Sequence, residues 1–443
     1  MSESQGLSVV TGLHRRVAGL LLALTAVLAV LAAFGWPIAA LFGGVSAWVA
    51  MVLMLPVVMP MMRIMASGLL LSGAAAMLWA LMEGNTPNWQ AAIALNVPLI
   101  GLLIAATFLQ LLVLPRVAGQ QGEARRAASS GPGAFLRTGL AVHLFGAVIN
   151  LSMVMVAADR LRTAAGLGRV QTVLVGRFFT AGLFWSPFFG AMAAALSFAP
   201  GATLASVLPA GLALSSIALI ATWWGTGRHV DSAFRGYPVD FGNLWLPALL
   251  AATVVTLHVR FPELSVLALI TLLAPVVVTV VLLIRQPRSA PQLLVGHVVN
   301  RLPNMCNEIL LFLSAAVMAA GLAAVVAGFD GWTPFDDFGA TQAWLTLVAI
   351  VMLAGLGAHP VVGVALFGTL LAPMSPEPTL LAVTFLAGWA IASVGSPFSG
   401  LNLMLQGFYK VQPWQLIRWH WRYVIGMLLV CWPILWLISM ISR

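Results

Sequence analysis

The stretch Ala181-Gly-Leu-Phe-Trp-Ser-Pro-Phe-Phe-Gly190 interrupts apolar sequence with a serine and a proline, and it is the feature that decides the fold. A related stretch, Ala354-Gly-Leu-Gly-Ala-His-Pro-Val-Val-Gly363, stands in the second half of the chain. In both, a polar residue directly precedes the proline, glycine follows three residues later, and another proline follows after thirteen residues, at Pro200 and Pro373. We predict a weak internal repeat from this pattern.

A proline at such a position interrupts the backbone hydrogen bonds of a helix. It supplies no amide donor and disfavours helix in the residue before it, so backbone carbonyls and amides lose their partners. Lipid cannot satisfy these groups, and breaks at membrane depth therefore occur where they are buried in protein or line a wet cavity. Paired breaks in two halves of a chain point to the binding site of a transporter. The alternative is that Ser-Pro and His-Pro are ordinary kinks, which transmembrane helices tolerate.

The composition of the chain requires a membrane environment. Of its 443 residues, 61% are hydrophobic and 7% are charged, whereas a soluble globular domain has about 25% charged residues. A single soluble core cannot bury so much apolar surface, but a bilayer accepts apolar side chains on the outside of every helix. We predict an all-α, polytopic membrane protein with about 10–12 passes and inverted repeats that contain broken helices or re-entrant hairpins.

The basic residues indicate topology and not a nucleic-acid partner. The formal net charge is +9, and Lys410 is the single lysine among 21 basic residues. The arginines lie in short loops at the ends of apolar runs, which face the cytoplasm and attract anionic lipid headgroups. Cys306 and Cys431 fit neither a disulfide framework nor a metal motif. We expect a multi-pass protein of the bacterial inner membrane whose partners are membrane lipids and a small-molecule substrate, with a homodimer left open.

Apolar runs and polar loops divide the chain into six segments. Two stretches, 172–199 and 342–373, have the same pattern whether they are re-entrant hairpins or kinked spans, and both alternatives are left open. The predicted segments are a cytoplasmic tail at 1–16, an amino-terminal four-span unit at 17–115, a cytoplasmic linker at 116–137, a first repeat-containing half at 138–284, a basic loop at 285–306 and a second repeat-containing half at 307–443.

Three titratable side chains are candidates for function because charges inside membrane spans are costly. Arg177 is suited to neutralising an anionic substrate or pairing with a carboxylate, and snorkelling to the interface fits it equally. Glu308 is suited to carrying a proton or binding sodium, but it also fits the first turn of a helix. His359, directly before Pro360, is placed to meet substrate or to take a proton near neutral pH, with a packed core histidine as the alternative.

A set of neutral polar residues lies at or near the breaks. Their side-chain oxygens, together with freed carbonyls, are suited to a hard cation such as sodium, and half-helix amino termini present amides to an anion. The alternative is hydrogen bonding between helices, worth about 0.6 kcal/mol per contact in membranes. These residues are Asn150, Ser152, Ser186, Thr226, Asn304, Asn307, Ser396, Ser399 and Asn402.

Catalytic and metal-binding motifs are absent from the sequence. It contains no HExxH, GxSxG, P-loop or CxxC pattern and no pair of aspartates within a span. We therefore predict neither catalytic residues nor a protein-bound metal, and no cofactor beyond a coupling ion. The alternative from another class is an integral enzyme or assembly subunit for lipid or envelope polysaccharide, with its site at one membrane face in the loop Arg228–Asp240.

The breaks at Ser186-Pro187 and Gly395-Ser-Pro-Phe-Ser-Gly-Leu-Asn402 resemble those of the ion transporter superfamily over residues 138–443. This group contains divalent anion/sodium symporters, arsenite pumps, sodium/proton antiporters and the large membrane subunits of tripartite carboxylate transporters. The resemblance implies an inverted-repeat scaffold with two helical hairpins whose tips meet at the substrate, and elevator-type movement in several members. The Ser-Asn-Thr signatures of the divalent anion symporters are missing.

These observations together predict a secondary active transporter, not an enzyme, for a small anionic solute coupled to H⁺ or Na⁺. A gathering of positions 186, 359 and 396 at the bilayer centre would favour this function over the enzyme alternative. The predicted substrate-binding residues are Arg177, Ser186, Pro187, Asn307, His359, Ser396, Ser399 and Asn402, and the predicted ion-coupling residues are Glu308, His359, Asn150 and Ser152.

Overall fold

The computed structural model describes residues 12–112, 130–163, 166–236, 245–261, 263–329 and 332–441. These residues are helical and contain no strand, only the isolated bridges Ser130–Arg235 and Thr163–Gly166. Ten helical stretches among them are long and apolar enough to cross a membrane. The predicted all-α polytopic fold is confirmed. Most of the predicted tail and linker, and part of the loop Arg228–Asp240, lie outside the described residues.

The described α-helices are numbered in chain order. The first ten are α1 (Gly12–Ala33), α2 (Ile38–Met54), α3 (Pro60–Met82), α4 (Trp89–Ala94), α5 (Val97–Phe108), α6 (Gly131–Ile149), α7 (Leu151–Leu161), α8 (Arg169–Leu183), α9 (Gly190–Phe198) and α10 (Leu204–Gly225). The others are α11 (Trp245–Arg260), α12 (Val266–Arg285), α13 (Ala290–Gly296), α14 (Cys306–Val326), α15 (Ala340–Gly355), α16 (Pro360–Leu371), α17 (Pro378–Gly395), α18 (Gly400–Tyr409) and α19 (Pro413–Ile441).

The helices form two compact units, each built from stretches that are distant in sequence. The predicted halves at 138–284 and 307–443 stay a prediction, because the unit boundaries at 249/250, 334/335, 367/368 and 370/371 fall inside them. Unit 1 contains the described parts of 1–112, 250–334 and 368–370, and unit 2 contains those of 113–249, 335–367 and 371–443.

Unit 1 is held together by glycine-mediated helix packing and a buried amide. A Cβ on Gly73 of α3 would come within 2.6 Å of the carbonyl oxygen of Val317 in α14, and one on Gly321 within 2.3 Å of the Gly73 carbonyl oxygen. Small residues permit this approach, and van der Waals contact between the backbones then stabilises the pair in lipid. Asn96, which is 1% exposed, donates its side-chain amide to the Phe312 carbonyl at 2.7 Å.

The predicted basic loop at 285–306 is largely helical. Helix α13 has Pro291 in its first turn, and the chain continues through a π-helical turn, His297–Arg301, and a 3-10 turn, Leu302–Met305, into α14. The prediction took prolines and arginines as markers of a loop. Proline is compatible with the first turn of a helix, however, because the amide at that position has no helical partner to lose.

In unit 2, α6 runs beside α8 in the same direction. Gly139 of α6 lies against Phe178 of α8, where a Cβ would come within 2.5 Å of the ring. Further along both elements, the Ser186 hydroxyl donates a hydrogen bond to the Ala147 carbonyl. The two contacts occur in the same order along both stretches, so the helices are parallel.

Helix α7 turns back and forms a hairpin with α6. The chain reverses at Asn150, which has φ of 57° and ψ of −145°. The Tyr409 hydroxyl lies 3.0 Å from the carbonyl oxygen of Met155 in α7, and the Tyr409 carbonyl lies against Gly166, just before α8. A helix that continued in the direction of α6 would carry Met155 away from the start of α8. Helix α7 therefore returns to the end at which α8 begins.

Helices α15 and α16 form a second hairpin. A Cβ on Gly363 would lie 3.4 Å from the Cα of Ile350, whereas thirteen residues of continuous helix would separate them by about 20 Å. Ile350 also lies against Gly388 of α17, and the Ser396 hydroxyl donates to the Ala354 carbonyl at 2.6 Å. Helix α15 is therefore parallel to α17, as α6 is to α8.

The interrupted helices α8–α9 and α17–α18 lie antiparallel and in contact. Close contacts pair Gly166 with Tyr409, Gly176 with Val394 and Gly201 with Pro378. The partners run in opposite order along the chain over the whole length of both elements. The two repeats are therefore inverted relative to each other, as the sequence predicts.

Helix α19 demonstrates that α17–α18 crosses unit 2 and does not fold back. It begins at Pro413, shortly after α18 ends, and its Val424 packs against Gly395. Its Leu428 carbonyl accepts a hydrogen bond from the indole N–H of Trp344, near the start of α15, at 2.8 Å. Pro413 and Leu428 are about 22 Å apart along the helix axis. The end of α18 and the start of α15 therefore lie at opposite ends of the unit.

The alternatives that the sequence left open are now resolved for both stretches. Residues 172–199 form a broken span, because they follow α17–α18 along its length. Residues 342–373 contain the hairpin α15–α16. Each repeat consists of a hairpin, a broken span and an unbroken helix: α6–α7, α8–α9 and α10 in the first, and α15–α16, α17–α18 and α19 in the second.

Candidate functional site

The first broken span is interrupted at Ser186-Pro187, between α8 and α9. The Ser186 amide still donates to the Gly182 carbonyl at 2.9 Å, which completes the last helical turn. The Ser186 hydroxyl donates to the Ala147 carbonyl near the tip of the first hairpin and accepts the Phe188 amide at 3.3 Å. One serine thus closes a helix, positions the residue after proline and attaches the break to the hairpin.

The second broken span has the same hydrogen bonds at Ser396-Pro397. The Ser396 amide donates to the Ala392 carbonyl at 2.8 Å. Its hydroxyl donates to the Ala354 carbonyl near the tip of the second hairpin and accepts the Phe398 amide at 3.1 Å. Both serines are at most 2% exposed. Three contacts therefore match between the two breaks.

These matches correct the pairing that the sequence suggested. The repeat equates Ser186-Pro187 with Ser396-Pro397, and not with His359-Pro360. Pro360 begins α16 after a hairpin turn, where proline fits the first helical position, and it interrupts no span. The sequence signal that was missed is the repeated Ser-Pro-Phe-X-Gly, at 186–190 and 396–400.

The second break contains a buried polar network centred on Asn402. Its side-chain amide donates to the Ser396 carbonyl at 2.8 Å and to the Val394 carbonyl at 3.1 Å. The Ser399 hydroxyl donates to the Ser393 carbonyl at 2.6 Å and accepts the Asn402 amide at 3.2 Å. These carbonyls lack helical amide partners because the break ends α17 there.

The remaining oxygen of this network has no partner among the described residues. Asn402 is 1% exposed, and its Oδ1 accepts no hydrogen bond. Burying a carbonyl-type oxygen without a partner costs about 1–3 kcal/mol. A buried oxygen of this kind is available to a water molecule, a donor group or a cation.

The first break is apolar at the corresponding positions. Phe189 stands where the second break has Ser399, and Met192 stands where it has Asn402. The Phe189 ring packs edge-on against Phe179, with 5.3 Å between the ring centroids. Helix α9 also begins without a side-chain cap, whereas Ser399 caps α18.

His143, which is not among the predicted site residues, holds the residue that directly precedes the first break, Trp185. It is 5% exposed, and its Nε2 accepts the indole N–H of Trp185 at 3.3 Å. Its Nδ1 lies 3.1 Å from the carbonyl oxygen of Phe178 and donates to it. This arrangement needs a neutral ring with its proton on Nδ1, because a charged ring would present a donor to the indole N–H.

His359 lies at the tip of the second hairpin, beside the second break. It is half-buried and caps α16, because its Nδ1 accepts the Val361 amide at 3.3 Å. Its ring stands edge-on to Trp389 of α17, 5.7 Å between centroids. Gly357, at φ of 111°, lies against the ring of Phe398. The hairpin tip thus meets the chain directly after Pro397.

Asn150 and Ser152 lie at the tip of the first hairpin. Both are half-buried, and the Asn150 side-chain oxygen accepts the amide of Leu151 at 2.9 Å. Ala147, one helical turn earlier, receives the hydroxyl of Ser186. These two predicted residues therefore stand beside the first break, as the tip of α15–α16 stands beside the second.

Arg177 lies in α8 and contacts α19. Its Nε donates to the His420 Nδ1 at 3.3 Å, its Nη2 donates to the Trp419 carbonyl at 2.7 Å, and its guanidinium lies 4.4 Å from the centroid of the Tyr423 ring. It is 7% exposed, and no described carboxylate pairs with it. Its observed contacts connect the first repeat to the second, and its predicted contact with substrate stays a prediction.

Asn307 and Glu308 belong to unit 1. The Asn307 side-chain oxygen accepts the Met59 amide at 2.9 Å, and Glu308 is exposed in the first turn of α14. The structure groups neither residue with the breaks of unit 2. Among the described residues, no three His, Cys, Asp or Glu side chains are arranged to hold a metal ion.

No protein-family model matches the chain, and none of the curated proteins matches it. Among solved structures, it is similar to the crystal structure of the YdaH transporter of Alcanivorax borkumensis, described as having an unusual topology. The two chains are 14% identical with a TM-score of 0.48, over 78% of this chain and 85% of the other. At this degree of similarity the comparison assigns no function to this chain.

Proposed function

We propose that this protein is a secondary active transporter that is driven by a Na⁺ or H⁺ gradient and that binds a small solute at the first Ser-Pro-Phe-X-Gly break and the coupling ion at the second. The observation that carries the proposal is the duplication of one break in two inverted repeats, each attached to a hairpin tip. Paired interruptions in inverted repeats are the usual structural setting of a transporter's binding site. An enzyme acting at the membrane surface has no need of such a pair within the spans.

The second break supports the cation-coupling part of the proposal. Asn402 Oδ1 is an unpartnered, buried oxygen at the negative end of α17, beside carbonyls released from the helix. Sodium prefers neutral and anionic oxygen ligands of this kind. We therefore assign the coupling ion to this break and infer Na⁺ before H⁺, since Asn402 does not titrate.

The first break supports a solute with an anionic group. Helix α9 begins there with no side-chain cap, so its first amides are available to an acceptor. Free amides at a helix amino terminus favour negative charge, and no described acid stands among the residues of this break. In this proposal Ser186 and Pro187 shape the solute site, and Ser396, Ser399 and Asn402 shape the ion site.

The proposal is tested in two steps that do not require the solute to be known. First, the purified protein is heated in sodium chloride and in choline chloride at equal ionic strength, and the midpoint of unfolding is compared. We expect sodium to stabilise the wild type and not Asn402→Ala. Ser216→Ala is the control, because its exposed hydroxyl bonds only within α10.

In the second step, proteoliposomes carrying the protein are exposed to small carboxylates and other anions on a solid-supported membrane. Currents that require sodium and vanish in Asn402→Ala are the expected result. Sodium stabilisation that is equal in the wild type and Asn402→Ala would refute the ion site. Solute-driven currents that persist without sodium but follow pH would replace Na⁺ with H⁺.

A further inference from the structure

A cavity lies away from the breaks, where α7 and α18 end. It has a volume of about 440 Å³ and is open to the surface. What this cavity binds can be inferred without the proposed transport function. Its lining residues, all in unit 2, are Arg162, Thr163, Gly166, Phe408, Tyr409 and Lys410.

The walls of this cavity are held in place by specific contacts. Thr163 and Gly166 exchange both backbone hydrogen bonds at 3.0 Å, which holds these two residues side by side. Gly166 has φ of 96°, and a Cβ there would come within 2.6 Å of the Tyr409 carbonyl oxygen, so only glycine fits. The Tyr409 hydroxyl lies 3.0 Å from the Met155 carbonyl and 3.2 Å from the Asp159 carboxylate.

The cavity carries an excess of positive charge. Arg162 and Lys410 line it, and the Asp159 carboxylate lies 3.9 Å from Arg162 and is shared with Tyr409. Arg169 opens α8 three residues after Gly166, and that amino terminus has no side-chain cap. The ends of α7 and α18 oppose this charge with roughly half a unit each. Positive charge exceeds negative charge once Arg169 and the amino terminus of α8 are counted with Arg162 and Lys410.

The position of the cavity restricts its ligand. Tyr409 ends a helical stretch, Pro378–Tyr409, that is long and apolar enough to cross a membrane, so the cavity lies at the level of a membrane surface. Phe408, on its wall, is 57% exposed and lies beside the charged groups. Basic cavities at helix ends on the cytoplasmic side suit anionic lipid headgroups, and an exposed aromatic ring suits the glycerol and upper acyl region.

We propose that this cavity binds the phosphate of an anionic phospholipid. Arg162 and Lys410 contact the phosphodiester oxygens, the paired residues Thr163 and Gly166 form the floor, and Phe408 packs beside the glycerol. Lys410 follows the last residue of α18, where its backbone is left-handed at φ of 60°. Its side chain is exposed, so its ammonium group is accessible to a headgroup.

The test uses the full-length protein purified in detergent and native mass spectrometry with added lipid. Phosphatidylglycerol, phosphatidylcholine and inorganic phosphate are compared at equal concentration. We expect the wild type to retain phosphatidylglycerol at least tenfold better than phosphatidylcholine. Arg162→Gln/Lys410→Gln is expected to abolish this preference. Arg228→Gln/Arg235→Gln is the matched control, because it removes two exposed arginines elsewhere in unit 2 and should keep the preference.

Three outcomes would overturn the proposal. The first is equal loss in the test and control variants, which would make the attraction a general effect of surface charge. The second is an unchanged preference in the test variant. The third is retention of inorganic phosphate with no preference for phosphatidylglycerol, which would make the ligand a free anion. Should the double variant fail to fold, Lys410→Gly removes one charge where glycine is favoured, and it is expected to weaken retention at least threefold.

Discussion

The two breaks of unit 2 have one backbone design and two different chemistries. At both, a serine amide completes the helix, its hydroxyl reaches a hairpin tip, and it accepts the amide of the phenylalanine after proline. Beyond that phenylalanine the breaks diverge, since Phe189 and Met192 occupy the places of Ser399 and Asn402. The geometry of a break is thus specified by Ser-Pro-Phe-X-Gly, and its chemistry by the two positions that vary.

In the proposed function, the side chains that differ give the two breaks separate roles. The first is packed by aromatic rings and offers uncapped amides, whereas the second is filled by an amide network that leaves one oxygen unpartnered. An inverted repeat with identical breaks would present two equivalent sites. Here the uncapped amides make the first break suitable for a hydrogen-bond acceptor. The unpartnered oxygen makes the second break suitable for a cation or a hydrogen-bond donor.

The largest expected effect is a difference in unfolding free energy between substitutions at Asn402 and at its counterpart in the first break, Met192. Asn402→Leu removes the donors to three carbonyls and leaves them buried, which should cost about 3 kcal/mol of unfolding free energy. Met192→Leu conserves volume and should cost less than about 1.5 kcal/mol. Denaturant unfolding in detergent measures both. Equal losses would mean that the network at the second break is not what distinguishes the two.

Arg177 gives the next largest effect, at the link between the repeats. Arg177→Lys keeps the charge but loses the planar group that contacts Trp419, His420 and Tyr423, so we expect a loss of about 2 kcal/mol. A double-mutant cycle with His420→Ala should give a coupling of about 1 kcal/mol. Additive losses would show that Arg177 acts elsewhere, for example on a solute.

Alanine substitutions of the two break serines, Ser186 and Ser396, should lower the unfolding free energy by similar amounts. Ser186→Ala and Ser396→Ala each remove one hydroxyl from the same contacts, so each should cost about 1 kcal/mol. Their effects on sodium-dependent stabilisation should differ, with only Ser396→Ala reducing it. A difference above about 1 kcal/mol between their unfolding free energies would break the structural equivalence of the two breaks.

His359 should give the smallest effect on stability. His359→Ala removes the side-chain cap of α16, worth about 0.5–1 kcal/mol. If His359 carries a coupling proton, the pH dependence of uptake should change in this variant. Unaltered pH dependence would leave the residue as a cap at a hairpin tip.

The sequence predicted the class of the protein and the existence of breaks, because both depend on local composition. Apolar runs near 20 residues and a proline within them have the same consequence in any helical membrane protein. The pairing of the breaks was wrong because X-Pro-X-X-Gly occurs both at a hairpin tip, where Pro360 begins a helix, and within a span, where Pro187 ends one. The local pattern does not specify whether the chain after the proline continues across the membrane or turns back.

Individual candidate residues show the same limit. Asn402 and Ser399 were found by their place near a break, and the structure adds which atoms of Asn402 are occupied. The sequence gives no sign of the partners of His143, because Trp185 and Phe178 are brought to it by the parallel packing of α6 on α8.

By itself, the sequence determined that this chain lies in a membrane, that its spans are interrupted, and which residue types stand at each interruption. The tertiary structure alone decided that Ser186 corresponds to Ser396, that the repeats are antiparallel, and that Asn402 keeps one oxygen free. The physical reason is that proline releases backbone groups locally, whereas the partners that satisfy them come from helices distant in sequence.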